Sequence, residues 1–177
     1  EPAFAQCRGP RDVGFRLTVG DSASSPERTD MANARCIVLI GSHIGENLHN
    51  GQVQTLTEAI NRDATLITVD PRFSVPAGKS KHWLPIRPGT DLALLLSWMH
   101  VLIEEELYDK DYVERYTVGF DQFKDYVLGR KDGIEKTPAW AAGIMATPWP
   151  WVYCRCKLIQ FWAASGSLAN WISRAPR

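Results

Sequence analysis

The chain has 177 residues, a formal net charge of zero and 45% hydrophobic residues, enough for one domain with a sizeable core. This charge balance gives no indication of a nucleic acid or an anionic membrane surface as a partner. The longest apolar run, residues 92–103, is shorter than the roughly 20 residues of a membrane span, so we expect no direct membrane insertion.

Residues 16–30 predict the end of one helix and a loop. Gly20 suits a helix C-terminus, and residues 22–26 are rich in turn-forming types. Pro10 is expected to disturb a helix that starts at Cys7, because proline removes a backbone N–H.

The four cysteines do not form a disulfide framework or a metal cluster. Cys36 lies within an apolar run, where a small buried thiol is expected. Cys154 and Cys156 lack the C-x₂-C spacing and a second ligand pair, so they do not predict a zinc site. Cys7 is followed by Arg8 and Arg11, whose positive charges would favour its thiolate.

Three apolar runs end abruptly in small or turn-forming residues and are typical of buried strands in a parallel sheet: residues 36–40, 64–69 and 83–86. Between the first two, Val53, Leu56 and Ile60 recur at helical spacing and predict a helix over residues 51–62. Strand, helix and strand form a βαβ unit with a right-handed crossover. The pattern predicts an α/β fold, a Rossmann-like parallel sheet flanked by helices.

In such sheets ligands bind beyond the carboxyl ends of the strands, which here carry the motifs GSHIGEN, DPRFS and PGTD. Gly41 and Gly45 allow a backbone to approach a pyrophosphate. Asp70 can accept hydrogen bonds from ribose hydroxyls, and the planar fork of Arg72 suits a phosphate. Asp91 can take two parallel hydrogen bonds from the N–H edge of a guanine.

Helices dominate the chain beyond the third strand. A helix from Thr90 or Asp91 to about residue 107 is expected to bury one face: Leu92, Leu95, Met99, Leu102 and Ile103. Residues 109–116 and 121–128 predict two short helices, each with an aspartate as cap. Thr137 is predicted to cap a further helix, with Pro138 in its first turn.

The three motifs, in this order, resemble those of the molybdopterin oxidoreductases of the dimethyl-sulfoxide-reductase superfamily. Residues 41–47, 69–96 and 108–123 are most similar to the polysulfide and thiosulfate reductase branch, and the resemblance covers residues 7–144. It implies an internal fragment of a catalytic subunit that binds Mo-bis(molybdopterin guanine dinucleotide). It also implies two-electron reduction of a small sulfur compound such as polysulfide or thiosulfate.

The same resemblance assigns cofactor binding to Gly41, Ser42, His43, Ile44, Gly45, Glu46, Asn47, Asp70, Pro71, Arg72, Phe73, Gly89, Thr90 and Asp91. His43 either donates to a phosphate or pterin or lies on a turn whose backbone does the binding. Glu46 is predicted to cap the helix that follows it. The predicted loop 76–81 offers Lys79 and Lys81 to phosphate, or these are solvated charges.

Cys7 is the residue that the resemblance assigns to molybdenum, as metal ligand and catalytic residue. A thiolate is a good soft ligand for such a metal. The Pro- and Arg-rich text around Cys7 departs from the family pattern, so a free surface thiol remains the alternative.

The resemblance divides the chain into a lead-in segment from a preceding domain (1–30), a cofactor-binding α/β domain (31–144) and a divergent or out-of-frame tail (145–177). No Asp or Glu follows Glu135, which sets the tail apart in charge. An iron–sulfur cluster in the full-length protein, an iron–sulfur electron-transfer subunit, a membrane-anchor subunit and a periplasmic location are also implied. We expect the fragment alone to be inactive.

Two alternatives remain from the residues themselves: an NAD- or FAD-binding dehydrogenase domain, and a non-catalytic α/β interaction module. GSHIGEN is not G-x-G-x-x-G, and the interval from Gly41 to Asp70 exceeds the roughly 20 residues of a dinucleotide fold. Both observations count against an ordinary NAD enzyme.

Overall fold

A computed structural model of the chain describes residues 2–20, 30–42, 44–46 and 50–146, without the side chains of residues 2–8, 19 and 50. The chain divides into two compact units, Glu1–Asp30 and Met31–Arg177. None of the helices described there is long and apolar enough to cross a membrane. The predicted turn at 22–26, the Cys154–Cys156 pair and the tail beyond residue 146 lie outside the described residues.

The described part of the first unit contains the helix α1 (Pro2–Val19). It ends before Gly20, whose φ of 79° is accessible to glycine at little cost, so the predicted stop is confirmed. The expected disturbance at Pro10 is wrong, because α1 continues through this residue. A proline removes one hydrogen bond, and the helix has more than a full turn on either side of it.

In the second unit, the described residues form three parallel strands, β1 (Cys36–Ile40), β2 (Thr65–Val69) and β3 (His82–Leu84), in the order β1-β2-β3. Helix α2 (Asn50–Asn61) connects the first two, and the predicted α/β fold with a parallel sheet is confirmed. The third strand ends two residues earlier than predicted. Pro85 follows it directly and has no N–H to donate to the ladder.

Both faces of the sheet are covered near β2, which is buried along its whole length. On one face, Ile37, Leu39 and Leu66 pack with Leu56 and Ala59 of α2. On the other face, the sheet packs against α4 (Asp91–Glu104) and α7 (Pro138–Met145) in a second apolar cluster: Val69, Leu84, Ile86, Ala93, Leu94, Trp98, Val101, Ala141, Ala142 and Met145.

The first strand is buried on one face only. Val38 and Ile40 are exposed, and Cys36 is only partly buried, so the expectation of a fully buried strand and thiol is wrong for β1. Side chains alternate between the two faces of a strand, and β1 lies at the edge of the order β1-β2-β3. The burial that remains still raises the pKa of the Cys36 thiol above its usual range.

The face that α4 buries differs from the predicted one in the first half of the helix, although Ile103 is buried as predicted. Leu92 is 68% exposed and Leu95 is also exposed, whereas Leu94 and Leu96 are buried. The helix is apolar almost all the way around, so periodicity could not select its inner face. Contacts with the sheet and α7 on one side and with α6 (Phe120–Val127) on another determine it instead.

The predicted helix caps and loops agree with the structure in some of the short elements and not in others. Asp109 caps α5 (Lys110–Tyr116) by accepting from the Tyr112 N–H at 2.9 Å, and Thr137 caps α7 by accepting from the Trp140 N–H at 3.1 Å. The aspartate cap predicted for α6 is wrong, because Gly119 holds that position. The predicted loop over 76–81 largely forms a short helix instead, α3 (Val75–Lys79), with a proline in its first turn.

Candidate functional site

The three motif loops leave the sheet at the same edge. The parallel register places Ile40 beside Val69, and Val69 beside Leu84, so the carboxyl ends of the strands are level. The pairing continues one residue further, because the Gly41 N–H donates to the Val69 carbonyl at 2.9 Å and the Asp70 N–H to the Leu84 carbonyl at 3.2 Å. The Gly41 N–H is therefore engaged in the ladder, and any anion would meet backbone further along the loop.

Glu46 joins the first loop to the second. Its Oε2 lies 2.5 Å from Nη2 of Arg72, and its Oε1 accepts from the Val75 N–H at 2.6 Å. These partners lie 26 and 29 residues away in sequence. The prediction that Glu46 caps the helix following it stays a prediction, because residues 47–49 lie outside the described residues.

Asp70 is a buried acid at the end of β2, with 3% of its surface exposed. Its Oδ1 accepts from the Arg72 N–H at 2.9 Å, and its carbonyl accepts from the Trp83 indole N–H at 2.9 Å. Its Oδ2 is buried and has no hydrogen-bond partner within the part of the chain that the structure describes. A buried acceptor left unpaired is costly, so this oxygen is suited to a donor that arrives with a ligand.

Two side chains of the DPRFS loop face outwards beside Asp70. The Phe73 side chain is 65% exposed, and its ring meets Trp83 edge-on with centroids 5.0 Å apart. The Arg72 side chain is 58% exposed. A guanidinium and an aromatic face at one edge can contact an anionic group and a planar ring of a ligand.

The third loop carries the PGTD motif from β3 into α4. Gly89 has a φ of 83°, a conformation that a side chain would strain. The Thr90 hydroxyl donates to the Arg87 carbonyl at 2.6 Å and so closes the turn. Asp91, half-buried, lies in the first turn of α4, where the helix dipole favours its negative charge.

The other predicted site residues are buried in the core, lie at the surface, or fall outside the described residues. Ile44 is buried in the core beside α2, so its side chain has a packing role. Ser42 is half-buried and Pro71 is exposed. His43 and Asn47 lie outside the described residues. Cys7 belongs to α1 in the first unit, and its side chain is not described.

Sequence reasoning missed two residues that support the site. The Trp83 indole holds the Asp70 carbonyl across 13 residues, and the Val75 N–H holds Glu46 across 29. The first has a weak signal in sequence, since Trp83 is the first residue of the third predicted strand. The second has none, because a backbone N–H is present at every residue except proline.

His100 is a titratable group outside the three loops, and it is paired within the fold. His100 is buried in α4, with Nε2 2.7 Å from Oε1 of Glu135 and Nδ1 3.5 Å from Oε2 of Glu104. The imidazole of His100 therefore has a structural role in the core. Among the described residues there is no group of three His, Cys, Asp or Glu side chains arranged to hold a metal ion.

Comparison with known proteins relates this arrangement to a family. The profile of the molybdopterin oxidoreductase family matches residues 7–164, which includes the first part of the segment interpreted as a divergent tail. Dimethyl sulfoxide reductase DmsA of Escherichia coli is 36% identical over 76% of this chain and 19% of its own length. The thiosulfate reductase molybdopterin-containing subunit PhsA of Salmonella typhimurium is 40% identical over 67% of this chain and 15% of its own.

A solved structure agrees with the sequence relatives. Acetylene hydratase from Pelobacter acetylenicus superimposes with a TM-score of 0.73 and 30% identity, over 87% of this chain and 20% of that one. The chain thus spans about a fifth or less of the length of the proteins it matches here. With a family match across most of its length, and with the same fold as one solved relative, this chain belongs to the molybdopterin oxidoreductase family.

Proposed function

We propose that this chain is part of the catalytic subunit of a molybdenum oxidoreductase and that its three loops bind one guanine dinucleotide of a Mo-bis(molybdopterin guanine dinucleotide) cofactor. Family membership supports the pterin part of the cofactor. The observation that carries the nucleotide part is the joining of two strand-end loops by Glu46 and Arg72, beside the unpaired Oδ2 of Asp70.

The described residues fit such a group chemically. The unpaired Asp70 Oδ2 needs a hydrogen-bond donor, and ribose hydroxyls are donors. The exposed Arg72 guanidinium suits a phosphate, and the Asp91 carboxylate suits the two N–H groups of a guanine edge. Gly45 and Gly89 keep their loops free of side chains where φ is positive.

Each residue then has a distinct task. Asp70 orients the ribose, Arg72 binds a phosphate, and Asp91 selects guanine. The cofactor supplies the metal centre for two-electron chemistry, while the protein binds it, orients it and sets its surroundings. Cys7 is the proposed protein ligand to the metal, through its thiolate.

The activity of the whole subunit is proposed to be reduction of a sulfur compound such as polysulfide or thiosulfate, in the periplasm. The similarity to PhsA, named as a thiosulfate reductase subunit, supports that substrate class. An iron–sulfur cluster in the full-length protein, an iron–sulfur partner subunit and a membrane-anchor subunit belong to the same proposal. The 177-residue chain alone is expected to show no reductase activity.

A second candidate is hydration of an unsaturated substrate. The solved structure that superimposes on this chain is named acetylene hydratase, and its name describes the addition of water. Assaying the full-length protein with thiosulfate plus a reduced dye, and separately with acetylene, distinguishes the two reactions.

Guanine selectivity tests the nucleotide proposal directly. Calorimetric titration of the 177-residue chain with GDP and with ADP should show GDP binding roughly tenfold more tightly, since a carboxylate pairs with guanine through two charge-assisted hydrogen bonds. Asp91→Asn should remove most of that preference. Asp111→Asn, at an exposed position of α5, is the matched control and should keep it.

Equal affinity for the two nucleotides would reject the guanine assignment to Asp91. Absence of binding by either nucleotide, from a chain that circular dichroism shows to be folded, would leave the interaction module as the better description. Tighter binding of ADP or NAD than of GDP would favour the dehydrogenase alternative.

A further inference from the structure

Glu46 makes two contacts that nothing in the motif pattern requires. One carboxylate oxygen lies 2.5 Å from the Arg72 guanidinium, and the other accepts from the Val75 N–H at 2.6 Å. Both partners belong to the segment that follows β2, whereas Glu46 follows β1. A single side chain therefore connects two loops that the sheet brings to one edge.

The backbone conformation at Gly45 brings the Glu46 carboxylate to the loop that follows β2. Gly45 has a φ of 90°, and a Cβ built there would lie 3.5 Å from the Val75 Cγ1. The first loop thus passes close to the start of α3, and the carboxylate that follows meets the Val75 N–H. Any other residue at position 45 would be strained by its φ, so the glycine allows the turn that delivers Glu46.

The contact with Glu46 restricts the conformations of the Arg72 side chain. An arginine side chain that is 58% exposed has many rotamers, and ordering it costs conformational entropy. Contact with Glu46 restricts the guanidinium before any ligand arrives, which reduces the ordering that binding must bring about. A guanidinium has five N–H donors, so a contact through Nη2 does not exhaust its capacity to bind oxygen atoms.

Building on the proposed nucleotide site, we propose that Glu46 is a positioning residue: it orients Arg72 so that the guanidinium binds a phosphate of the nucleotide, without touching the nucleotide itself. Glu46 and Arg72 together carry no net charge, and the Val75 N–H further compensates the carboxylate. The paired Glu46 carboxylate therefore repels an incoming phosphate less strongly than an unpaired carboxylate would.

Two probes separate this role from a general effect on folding. GDP carries both guanine and phosphates, whereas guanosine lacks the phosphates. Glu46→Gln removes the charge that holds Arg72 and should weaken GDP binding roughly tenfold while leaving guanosine binding unchanged. Glu46→Asp keeps the charge and should restore part of the loss. Glu114→Gln, at an exposed position of α5, is the matched control and should change neither affinity.

A double-mutant cycle tests whether Glu46 acts through Arg72. Arg72→Gln should weaken GDP binding by itself, and adding Glu46→Gln to it should have no further effect. Additive losses would overturn the proposal, because they would mean that Glu46 acts on the nucleotide by another route. Melting curves show whether each variant is folded, and Glu46→Asp supplies the comparison if Glu46→Gln is not.

Three further results would overturn the inference. Equal weakening of GDP and guanosine would show that Glu46 only stabilises the loops. Tighter GDP binding by Glu46→Gln would show that the carboxylate competes with phosphate for Arg72. If the wild-type chain binds GDP no better than guanosine, there is no phosphate site, and the proposed function fails together with this inference.

Discussion

Gly129 offers a sharp test of the structure, because a second glycine in the same turn provides its control. Both Gly129 and Gly133 have a φ of 73°, and the Gly133 N–H donates to the Gly129 carbonyl at 2.8 Å. A Cβ at Gly129 would lie 2.6 Å from the Glu135 nitrogen and 2.8 Å from the Ile134 carbonyl carbon. A Cβ at Gly133 would meet no atom within 4 Å.

The two alanine substitutions therefore share one cost and differ in another. Each places an L side chain in the left-handed region, which costs about 1 kcal/mol. Each also reduces the conformational freedom of the unfolded chain by the same amount, so this effect cancels when the two variants are compared. Only Gly129→Ala must also displace backbone, an overpacking cost of about 2 kcal/mol. We expect Gly129→Ala to lower the free energy of unfolding by about 3 kcal/mol and Gly133→Ala by about 1 kcal/mol.

Urea titrations followed by circular dichroism measure both values on the 177-residue chain. The turn that contains both glycines leads to Glu135, which meets His100, and to α7, which packs under β2 and β3. A loss of stability at Gly129 is thus expected to loosen the support of the strand ends. If the two variants differ by less than about 0.5 kcal/mol, the close approach of residues 129 and 135 is wrong.

The inner face of α4 and the acid stability of the Asp132 turn give two further tests. Leu94→Ala should cost about 3 kcal/mol, because Leu94 is fully buried, and Leu92→Ala less than about 0.5; equal urea midpoints would contradict the assigned face. The hydrogen bond from Lys136 lowers the pKa of the Asp132 carboxyl. Its stabilisation is therefore present above the usual aspartate pKa and is lost as the pH falls from about 4 through the lower folded pKa. Asp132→Asn should flatten the decline in Tm over that range, and an unchanged decline would refute the pairing.

Local patterns were sufficient where neighbours in sequence decide the structure. The limits of β1, the helix between β1 and β2, and the caps at Asp109 and Thr137 depend on residues within a few positions of each other. The strand-end motifs could be located for the same reason, since each directly follows or closely trails an apolar run. Sequence also located the three strand-end loops, which lie within the residues that the family profile matches.

Local sequence patterns did not predict the structure where several conformations or buried faces were equally compatible with the local sequence. The helix α4 presents apolar side chains in nearly every direction, and only its neighbours decided that Leu94 is buried and Leu92 exposed. Proline could break α1 or be tolerated, and α1 continues through Pro10.

The sequence by itself determined the α/β class, the parallel sheet and the positions of the three candidate loops, because hydrophobic spacing and turn chemistry act over short stretches of chain. Only the tertiary structure decided that Glu46 meets Arg72 and Val75, that Trp83 holds the Asp70 carbonyl, and that one face of β1 stays open. Each of these depends on segments that are distant in sequence and become neighbours only when the sheet and its helices have packed.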